Sequence, residues 1–246
     1  MKFILLGTGP GMPNLETHQS GLYVKSGDKH LLFDCGEGTS RRLLRHGLSG
    51  EMLDAIFISH YHPDHVSGLF MVLQMLYLQK RQRQLQLFLP ERPAVMLEML
   101  NYLYTFPAKL SFPLQILDCH EAELYHDDVE AIPTDHLRNY EEYIHANQHA
   151  NQMNSYAFKI SSEQGDLVYT SDINTTDCIL PALRNCHTVI VDALHPEAAQ
   201  ILKLQYAEIE RVILNHCISK ELFSILSNDP IVKYEVAVED QSYSIN

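Results

Sequence analysis

Ile56-Phe-Ile-Ser-His-Tyr-His-Pro-Asp-His-Val-Ser-Gly68 is the stretch of this 246-residue chain that decides the fold. It overlaps an apolar run, Ala55–Ile58, which predicts a short buried strand. Four side chains of metal-binding type follow the run directly: His60, His62, Asp64 and His65. Imidazole and carboxylate groups suit zinc, iron or manganese, and the spacing allows residues 60 and 62 to face one ion while 64 and 65 face a second. The stretch therefore predicts a metal site at the end of a strand.

The same arrangement, an apolar run followed by an isolated histidine or aspartate, recurs three times. The runs are Ile132-Pro-Thr-Asp-His136, Leu167-Val-Tyr-Thr-Ser-Asp172 and Val212-Ile-Leu-Asn-His216. Functional side chains collect on loops that a rigid scaffold holds at strand ends. His136, Asp172 and His216 are therefore predicted to belong to the same site as the first motif.

Four motifs resemble those of the metallo-β-lactamase-fold hydrolases, and of their RNase Z-like branch in particular. They are Gly7-Thr-Gly-Pro-Gly-Met-Pro13, Ser20-Gly-Leu22, Phe33-Asp-Cys-Gly-Glu-Gly-Thr39 and the block from Ser59 to Leu69. The resemblance is dense over residues 3–69 and rests on isolated residues beyond them. It implies an α/β (α+β) fold class, a four-layer αββα metallo-β-lactamase sandwich, which the alternation of predicted strands and helices also fits.

The resemblance also implies a dinuclear metal centre. It assigns His60, His62 and His136 to one metal, Asp64, His65 and His216 to the other, and Asp172 to both. Two divalent ions, zinc or alternatively manganese or iron, would supply hydroxide at neutral pH, and Asp64 would orient it. Asp34 would support the metal loop from the second shell, although an aspartate at a strand end also caps turns. A histidine at position 62, where the diiron flavoprotein relatives carry glutamate, favours hydrolysis over redox chemistry.

The substrate is less well defined by the sequence. RNase Z has a Gly/Pro-rich arm after its third metal motif, and the residues from His136 to Asp172 are too few to hold it. The later His-Glu-Ala-Thr element of that family appears here as Val191-Asp-Ala-Leu-His-Pro-Glu197, a form closer to the small-substrate phosphodiesterases of the superfamily. His195 is a candidate general acid for the leaving oxygen, or else a loop histidine before a helix that begins at Pro196.

Four hypotheses about function follow from these patterns. The leading one is a metal-dependent phosphodiesterase for a small or short phosphodiester. The alternatives are a tRNA 3′-end processing endoribonuclease, a lactone or thioester hydrolase, and a non-catalytic metal-binding accessory protein.

Composition limits the partners and the compartment. The formal net charge of −13 argues against a broadly basic nucleic-acid surface, so nucleic acid is possible but not favoured. Two basic clusters on predicted helices are expected to be solvated helix faces, with a local nucleic-acid patch as the alternative: Arg41, Arg42 and Arg45, and Lys80, Arg81 and Arg83. The absence of a signal peptide, a membrane span and paired cysteines predicts a cytoplasmic protein with reduced thiols. The absence of a Pro/Gly/Ser-rich linker predicts a single domain, residues 1–246. The family resemblance implies a possible homodimer.

Several local predictions accompany this fold. Helices are expected at Val66–Gln79 and Thr175–Arg184, and a final strand at Val232–Val238. Cys217 is expected to be a packing residue, because neighbouring side chains on a strand point in opposite directions.

Overall fold

A computed structural model describes residues 1–48 and 50–246 and falls into two compact units. The first unit comprises Met1–Glu121 with Val238–Ser244, and the second comprises Ala122–Ala237 with Ile245–Asn246. The prediction of one domain over residues 1–246 stays a prediction.

Over its described residues, 1–48, 50–121 and 238–244, the first unit contains a seven-stranded sheet and four α-helices. In chain order its elements are β1 (Lys2–Gly7), β2 (Gly21–Ser26), β3 (Lys29–Phe33), α1 (Thr39–Arg45), β4 (Ala55–Phe57), α2 (Pro63–Val66), α3 (Leu69–Leu78), β5 (Leu85–Leu89), α4 (Pro93–Tyr102), β6 (Leu114–Asp118) and a last strand, Ser242–Ser244. The last strand and β1–β3 pair antiparallel, whereas β3–β6 pair parallel. The carboxyl ends of β3 and β4 therefore meet at one edge of the sheet, where Asp34 and the histidine motif begin.

Aromatic side chains hold the middle of this sheet in register. Phe33, Phe57 and Phe88 are cross-strand neighbours on β3, β4 and β5, and all three are fully buried. Their rings stack with centroid distances of 4.9 Å and 4.5 Å. Such pairs add about 0.5–1.5 kcal/mol each to the burial of the rings, so they make the base of the histidine motif rigid.

The second unit contains a six-stranded sheet and four α-helices. Its elements are α5 (Ala122–Tyr125), β7 (Val129–Pro133), α6 (Glu141–Ala146), β8 (Tyr156–Ile160), β9 (Asp166–Tyr169), β10 (Cys186–Ala193), α7 (Ala198–Lys203), β11 (Arg211–Ile218), α8 (Lys220–Asn228) and β12 (Tyr234–Val236). Strand β8 runs antiparallel to β7 and β9, and β9–β12 are parallel. Strands β7, β9, β10 and β11 therefore end at the same edge, which collects the side chains that follow them. The Ser242–Ser244 strand of the first unit is β13.

The predicted final strand, Val232–Val238, is shorter, Tyr234–Val236, and is followed by β13. Both predicted helices also differ in detail. The predicted helix Val66–Gln79 is divided into α2 and α3, because Gly68 donates its N–H to the carbonyl of Cys35 at 2.8 Å. A Cβ on Gly68 would lie 2.1 Å from the carbonyl oxygen of Gly36, so this close approach of two backbones requires glycine. The predicted helix Thr175–Arg184 is a 3₁₀ helix, Thr176–Leu183, that contains Pro181, which lacks the N–H an α-helix needs.

Two arginines predicted to be solvated are buried. Arg81 is fully buried and donates to the backbone carbonyls of Gly50, Leu53, Arg83 and Gln84, so it organises a turn.

Arg42 is 8% exposed and pairs with Glu239 and Asp240, which lie almost two hundred residues further along the chain. Neither arginine is available to a nucleic-acid surface. Among residues 1–48 and 50–246 no helix has the length and apolar character needed to cross a bilayer.

Candidate metal centre

Four of the predicted metal-binding side chains lie close together in the first unit, all of them between residues 60 and 65. Strand β4 ends at Phe57, and His60 and His62 lie on the extended segment that follows it. Pro63 then begins α2, which carries Asp64 and His65. The imidazole of His60 lies 4.7 Å from that of His62 and 4.1 Å from that of His65, measured between ring centroids. Local sequence therefore brings this set together, as predicted.

Hydrogen bonds set the orientation of the His65 ring. Its Nδ1 lies 2.8 Å from Oδ2 of Asp34, and both side chains are fully buried. A carboxylate can only accept, so the bond assigns the proton to Nδ1 and leaves a lone pair on Nε2. That Nε2 lies 3.4 Å from Oδ2 of Asp64. Metal-binding histidines in proteins are commonly oriented in this way, by a carboxylate that accepts the N–H of the ring nitrogen that does not bind the metal.

Asp34 holds the metal loop in place with both of its oxygens. While Oδ2 bonds His65, Oδ1 accepts the backbone N–H of Ser59 at 2.8 Å. The next side chain continues the pattern, since Oγ of Ser59 lies 2.9 Å from Nδ1 of His60. The backbone of Asp34 has a φ of 59°, in the left-handed region that aspartate tolerates better than most non-glycine residues. The second-shell role of Asp34 remains a prediction, but its contacts fit that role.

The second unit brings together the other three predicted ligands. His136 begins a 3₁₀ helix after β7, Asp172 follows β9, and His216 lies in β11. Oδ2 of Asp172 lies 3.6 Å from Nε2 of His136 and 3.3 Å from Nε2 of His216. All three side chains are at most 7% exposed. The resemblance assigns Asp172 to two metals. One of its two oxygens, Oδ2, lies within 4 Å of the imidazoles of His136, His216 and His195, the last at 3.9 Å.

These separations fit a metal centre better than hydrogen bonds. Ligand atoms at about 2.0–2.2 Å from a tetrahedral ion lie about 3.3–3.6 Å apart. Between predicted ligands, the three imidazole–carboxylate distances at Asp64 and Asp172 are 3.3, 3.4 and 3.6 Å, within that range and beyond good hydrogen bonds. The donor set, imidazole nitrogens with carboxylate oxygens, suits zinc, manganese or iron.

A bulge in β11 presents His216. The register of β10 and β11 moves from Asp192–Asn215 to Ala193–Ile218, so two residues of β11 have no partner on β10. These residues are His216 and Cys217, with φ angles of 60° and 70°. At the bulge, successive side chains of β11 no longer alternate between the two faces of the sheet. Cys217 is consequently exposed, and its prediction as a packing residue was wrong.

His195 lies beside this set with its ring oriented by Asp192. Nδ1 of His195 lies 2.8 Å from Oδ2 of the fully buried Asp192 side chain. The same carboxylate accepts the backbone N–H groups of Ile173, Leu194 and His195 itself. Asp192 therefore fixes both the tautomer of the ring and the loop that carries it, which leaves Nε2 as the other ring nitrogen able to exchange a proton.

The rings of His136 and His216 both lie near that of His195, with centroid distances of 5.0 Å and 5.3 Å. The side chain of His195 is 35% exposed. His195 thus combines access to solvent with closeness to the predicted ligands of its unit, but its catalytic role stays a prediction.

Sequence reasoning overlooked the link between two of these loops. Asn174 donates its backbone N–H to Oδ1 of Asp135 at 3.1 Å and its side-chain N–H to the carbonyl of Asp135 at 2.8 Å. Because Asp135 precedes His136 and Asn174 follows Asp172 by two residues, the pair ties two ligand loops together. The only sequence signal was the position of both residues at strand ends.

The chain is similar to known proteins in sequence and in fold. Ribonuclease Z of Salinibacter ruber is 40% identical over 140 residues, which cover 54% of this chain and 43% of that protein. The chain thus spans less than half of the length of the curated relatives it matches. Among solved structures, the metallo-β-lactamase fold protein YhfI from Bacillus subtilis superposes with a TM-score of 0.73 at 18% identity, covering 98% of both chains. A diphosphatase from the PhnP family has a TM-score of 0.68 at 16% identity, covering 100% of this chain and 98% of that one.

These superpositions confirm the predicted metallo-β-lactamase fold, and the sequence similarity confirms the resemblance to the RNase Z-like branch. A family model described as Anti-Pycsar protein Apyc1 matches residues 1–217, which include all seven predicted metal ligands. On that match, the chain belongs to the Anti-Pycsar protein Apyc1 family.

Proposed function

We propose that this protein is a metal-dependent phosphodiesterase that hydrolyses a small or short phosphodiester. One observation carries the proposal: Oδ2 of Asp172 lies at metal-ligand spacing from the imidazoles of both His136 and His216. At these distances the Asp172 oxygen could share a cation with each imidazole, and the proposal assigns it to both cations.

The proposed ligand set is the one predicted from the sequence: His60, His62, Asp64, His65, His136, Asp172 and His216. Two divalent cations, with zinc first and manganese or iron as alternatives, would supply hydroxide at neutral pH and offset the charge that develops on phosphoryl oxygens. The number and identity of the ions are part of the proposal.

Residues of the chain supply orientation and a proton. Asp34 keeps the proton of His65 on Nδ1, so that Nε2 remains available as a ligand atom. Asp192 does the same for His195, whose Nε2 would donate a proton to the leaving oxygen. Asp64, beside His65, would orient the attacking oxygen.

The names of similar proteins support phosphoester chemistry. One structural neighbour is called a diphosphatase, and the similar curated proteins are called Ribonuclease Z. Both names denote cleavage of bonds to phosphorus, which favours a phosphodiester over a lactone or thioester.

Maturation of tRNA 3′ ends is the second candidate, because the Salinibacter ruber relative at 40% identity is called Ribonuclease Z. Within the second unit, the residues from His136 to Asp172 form a 3₁₀ helix, α6, β8 and β9, which leaves little chain for a long arm. The net charge of −13 also disfavours a polyanionic substrate. The small phosphodiester therefore comes first.

A substrate panel at equal concentrations of Zn²⁺ or Mn²⁺ tests the proposal. The panel contains bis-p-nitrophenyl phosphate, a dinucleotide, a cyclic mononucleotide, a tRNA with a 3′ extension, and a set of lactones and thioesters. We expect turnover of the small phosphodiesters that depends on added metal. Turnover confined to the extended tRNA, or to the lactones and thioesters, would replace the proposal by the corresponding alternative.

A pair of aspartate variants separates catalysis at the site from background activity. Asp64→Asn removes a proposed ligand, whereas Asp118→Asn changes an aspartate at the end of β6 that pairs with His120. We expect Asp64→Asn to lose at least about 10²-fold in kcat/KM and Asp118→Asn to stay near the wild-type value. Activity that is indifferent to Asp64→Asn would favour a non-catalytic accessory protein.

A further inference from the structure

The loop Gly9–Thr17, called here the glycine loop, follows β1 and belongs to the first unit. Its two ends are joined, because the N–H of Gly9 donates to the carbonyl of His18 at 2.8 Å. A Cβ on Gly9 would lie 2.6 Å from Oγ1 of Thr17 and 2.8 Å from that carbonyl, so only glycine permits this close approach. The place where the two ends of the loop meet, at Thr8, Gly9 and His18, is called here the neck. The glycine motif therefore builds a closed loop.

One carboxylate from a distant part of the chain holds both sides of the neck. Oε1 of Glu239 accepts the backbone N–H of Thr8 at 3.1 Å and that of His18 at 2.6 Å. Oε2 lies 3.0 Å from Nδ1 of His18 and also pairs with Arg42 of α1. The Glu239 side chain is 9% exposed, so these bonds to an ionised group are shielded from water and strong.

Contacts of the neighbouring residues hold Glu239 in place. It lies in the segment that ends in β13, which pairs antiparallel with β1. The next residue, Asp240, donates its N–H to the carbonyl of Leu5 at 3.0 Å and pairs with Arg42 and His46. Glu239 lies beyond the residues 1–217 that the family model matches.

The loop that Glu239 closes passes beside the metal loop. A Cβ on Gly11, in the middle of the glycine loop, would lie 3.5 Å from Oδ2 and 3.9 Å from Oδ1 of Asp64. Gly11 therefore lies next to the Asp64 carboxylate, which is 10% exposed. Opening of the neck would move Gly11 relative to that carboxylate.

We propose that Glu239 is a positioning residue for the reaction: by clasping Thr8 and His18 it holds the glycine loop against Asp64 and keeps that carboxylate in its productive orientation. This inference rests on the proposed function, because it assigns Asp64 a role in hydrolysis. Glu239 acts through the loop and touches neither substrate nor metal ligand.

Three variants test the clasp in the full-length, metal-loaded protein. Glu239→Ala removes the acceptor of both neck N–H groups, and Glu239→Gln restores one acceptor oxygen without the charge. Asp240→Asn is the matched control. Asp240 is the next residue and pairs with the same Arg42, but its side chain pairs with Arg42 and His46 and with no residue of the neck. We measure kcat and KM for bis-p-nitrophenyl phosphate, zinc affinity by chelator competition, and amide hydrogen exchange at Thr8 and His18.

The expected pattern is a fall of roughly tenfold in kcat for Glu239→Ala at saturating zinc, with faster exchange at Thr8 and His18. Glu239→Gln should recover most of both quantities, and Asp240→Asn should stay within about twofold of wild type in kcat. The inference is overturned if Glu239→Ala loosens the neck without changing kcat, or if Asp240→Asn lowers kcat as much as Glu239→Ala does.

Failure of the proposed function is recognised separately. A wild-type protein that turns over no phosphodiester ends that proposal by itself. The clasp is then judged on exchange and zinc affinity: slow exchange at Thr8 and His18 in Glu239→Ala, with unchanged affinity, contradicts it. Faster exchange with affinity weakened by about tenfold or more supports it.

Discussion

Replacing Asp34 by asparagine removes one negative charge from a fully buried side chain while preserving its size and its tolerance of a positive φ. In the wild type, Asp34 accepts two N–H groups, that of the His65 ring and that of the Ser59 backbone, each at 2.8 Å. An asparagine has one oxygen to replace two acceptors. It can therefore satisfy only one of these donors, and its own N–H₂ group faces the other.

Both orientations of the amide are unfavourable. If the oxygen stays on Ser59, the N–H₂ faces Nδ1 of His65, so the ring proton moves to Nε2 and this nitrogen can no longer bind a metal. If the oxygen turns to His65, two donors oppose each other at Ser59, at a cost of about 1–3 kcal/mol. We expect zinc affinity to fall by about 10- to 100-fold and the apparent melting temperature to fall by roughly 2–12 °C.

Chelator competition with a zinc-sensitive dye measures the affinity, and calorimetry measures the unfolding. Asp54→Asn is a matched control in the same unit, because Asp54 accepts the backbone N–H of His30 at 2.7 Å outside the metal loop. It should lose stability but keep the wild-type zinc affinity. A folded Asp34→Asn protein that binds zinc within twofold of wild type would refute the proposed role of Asp34.

Three further measurements probe other parts of the chain. His195→Ala should lower kcat/KM by at least about 10²-fold for a phosphodiester with an alkoxide leaving group and much less for p-nitrophenolate, which leaves without a proton; equal losses would argue against a general acid. Iodoacetamide should label the exposed Cys217 first, whereas Cys186, whose pKa burial raises to about 12, stays protected; mass spectrometry shows whether the order is reversed. Burial raises the pKa of Asp240, but the His46 hydrogen bond and the charge of Arg42 outweigh it and lower that pKa below its usual value. Urea titrations should therefore show that Asp240→Asn costs about 0.5–1 kcal/mol at pH 7, and that this difference disappears as the pH falls through the lowered pKa of Asp240; a constant difference would contradict the assignment.

The sequence predicted a buried strand followed directly by the four clustered side chains because the determinants of that stretch are local, although it did not predict the helix α2. His60, His62, Asp64 and His65 follow the end of an apolar strand within nine residues. Pro63 begins the helix that carries Asp64 and His65. Strand, loop and helix are each specified by neighbours in the chain. The roles of His136, Asp172 and His216 could be expected from strand ends alone, since parallel strands finish at one edge of a sheet.

Other features were missed where local pattern and tertiary context disagree. Strands β8 and β13 were not predicted, although both form regular pairs with their neighbours. The alternation expected around Cys217 fails because two residues bulge out of β11. A bulge depends on the partner strand, and nothing near Cys217 in the chain encodes that partner.

The amino-acid sequence by itself determined which residue types can bind a metal, which strands carry them, and that the fold is that of the metallo-β-lactamase superfamily. Only the tertiary structure decided that Asp34 and Asp192 orient the rings of His65 and His195, and that Glu239 closes a loop beside Asp64. The reason is physical: periodicity and spacing report contacts between near neighbours. A buried carboxylate, in contrast, must find its donors wherever the folded chain brings them, here from residues up to 231 positions away.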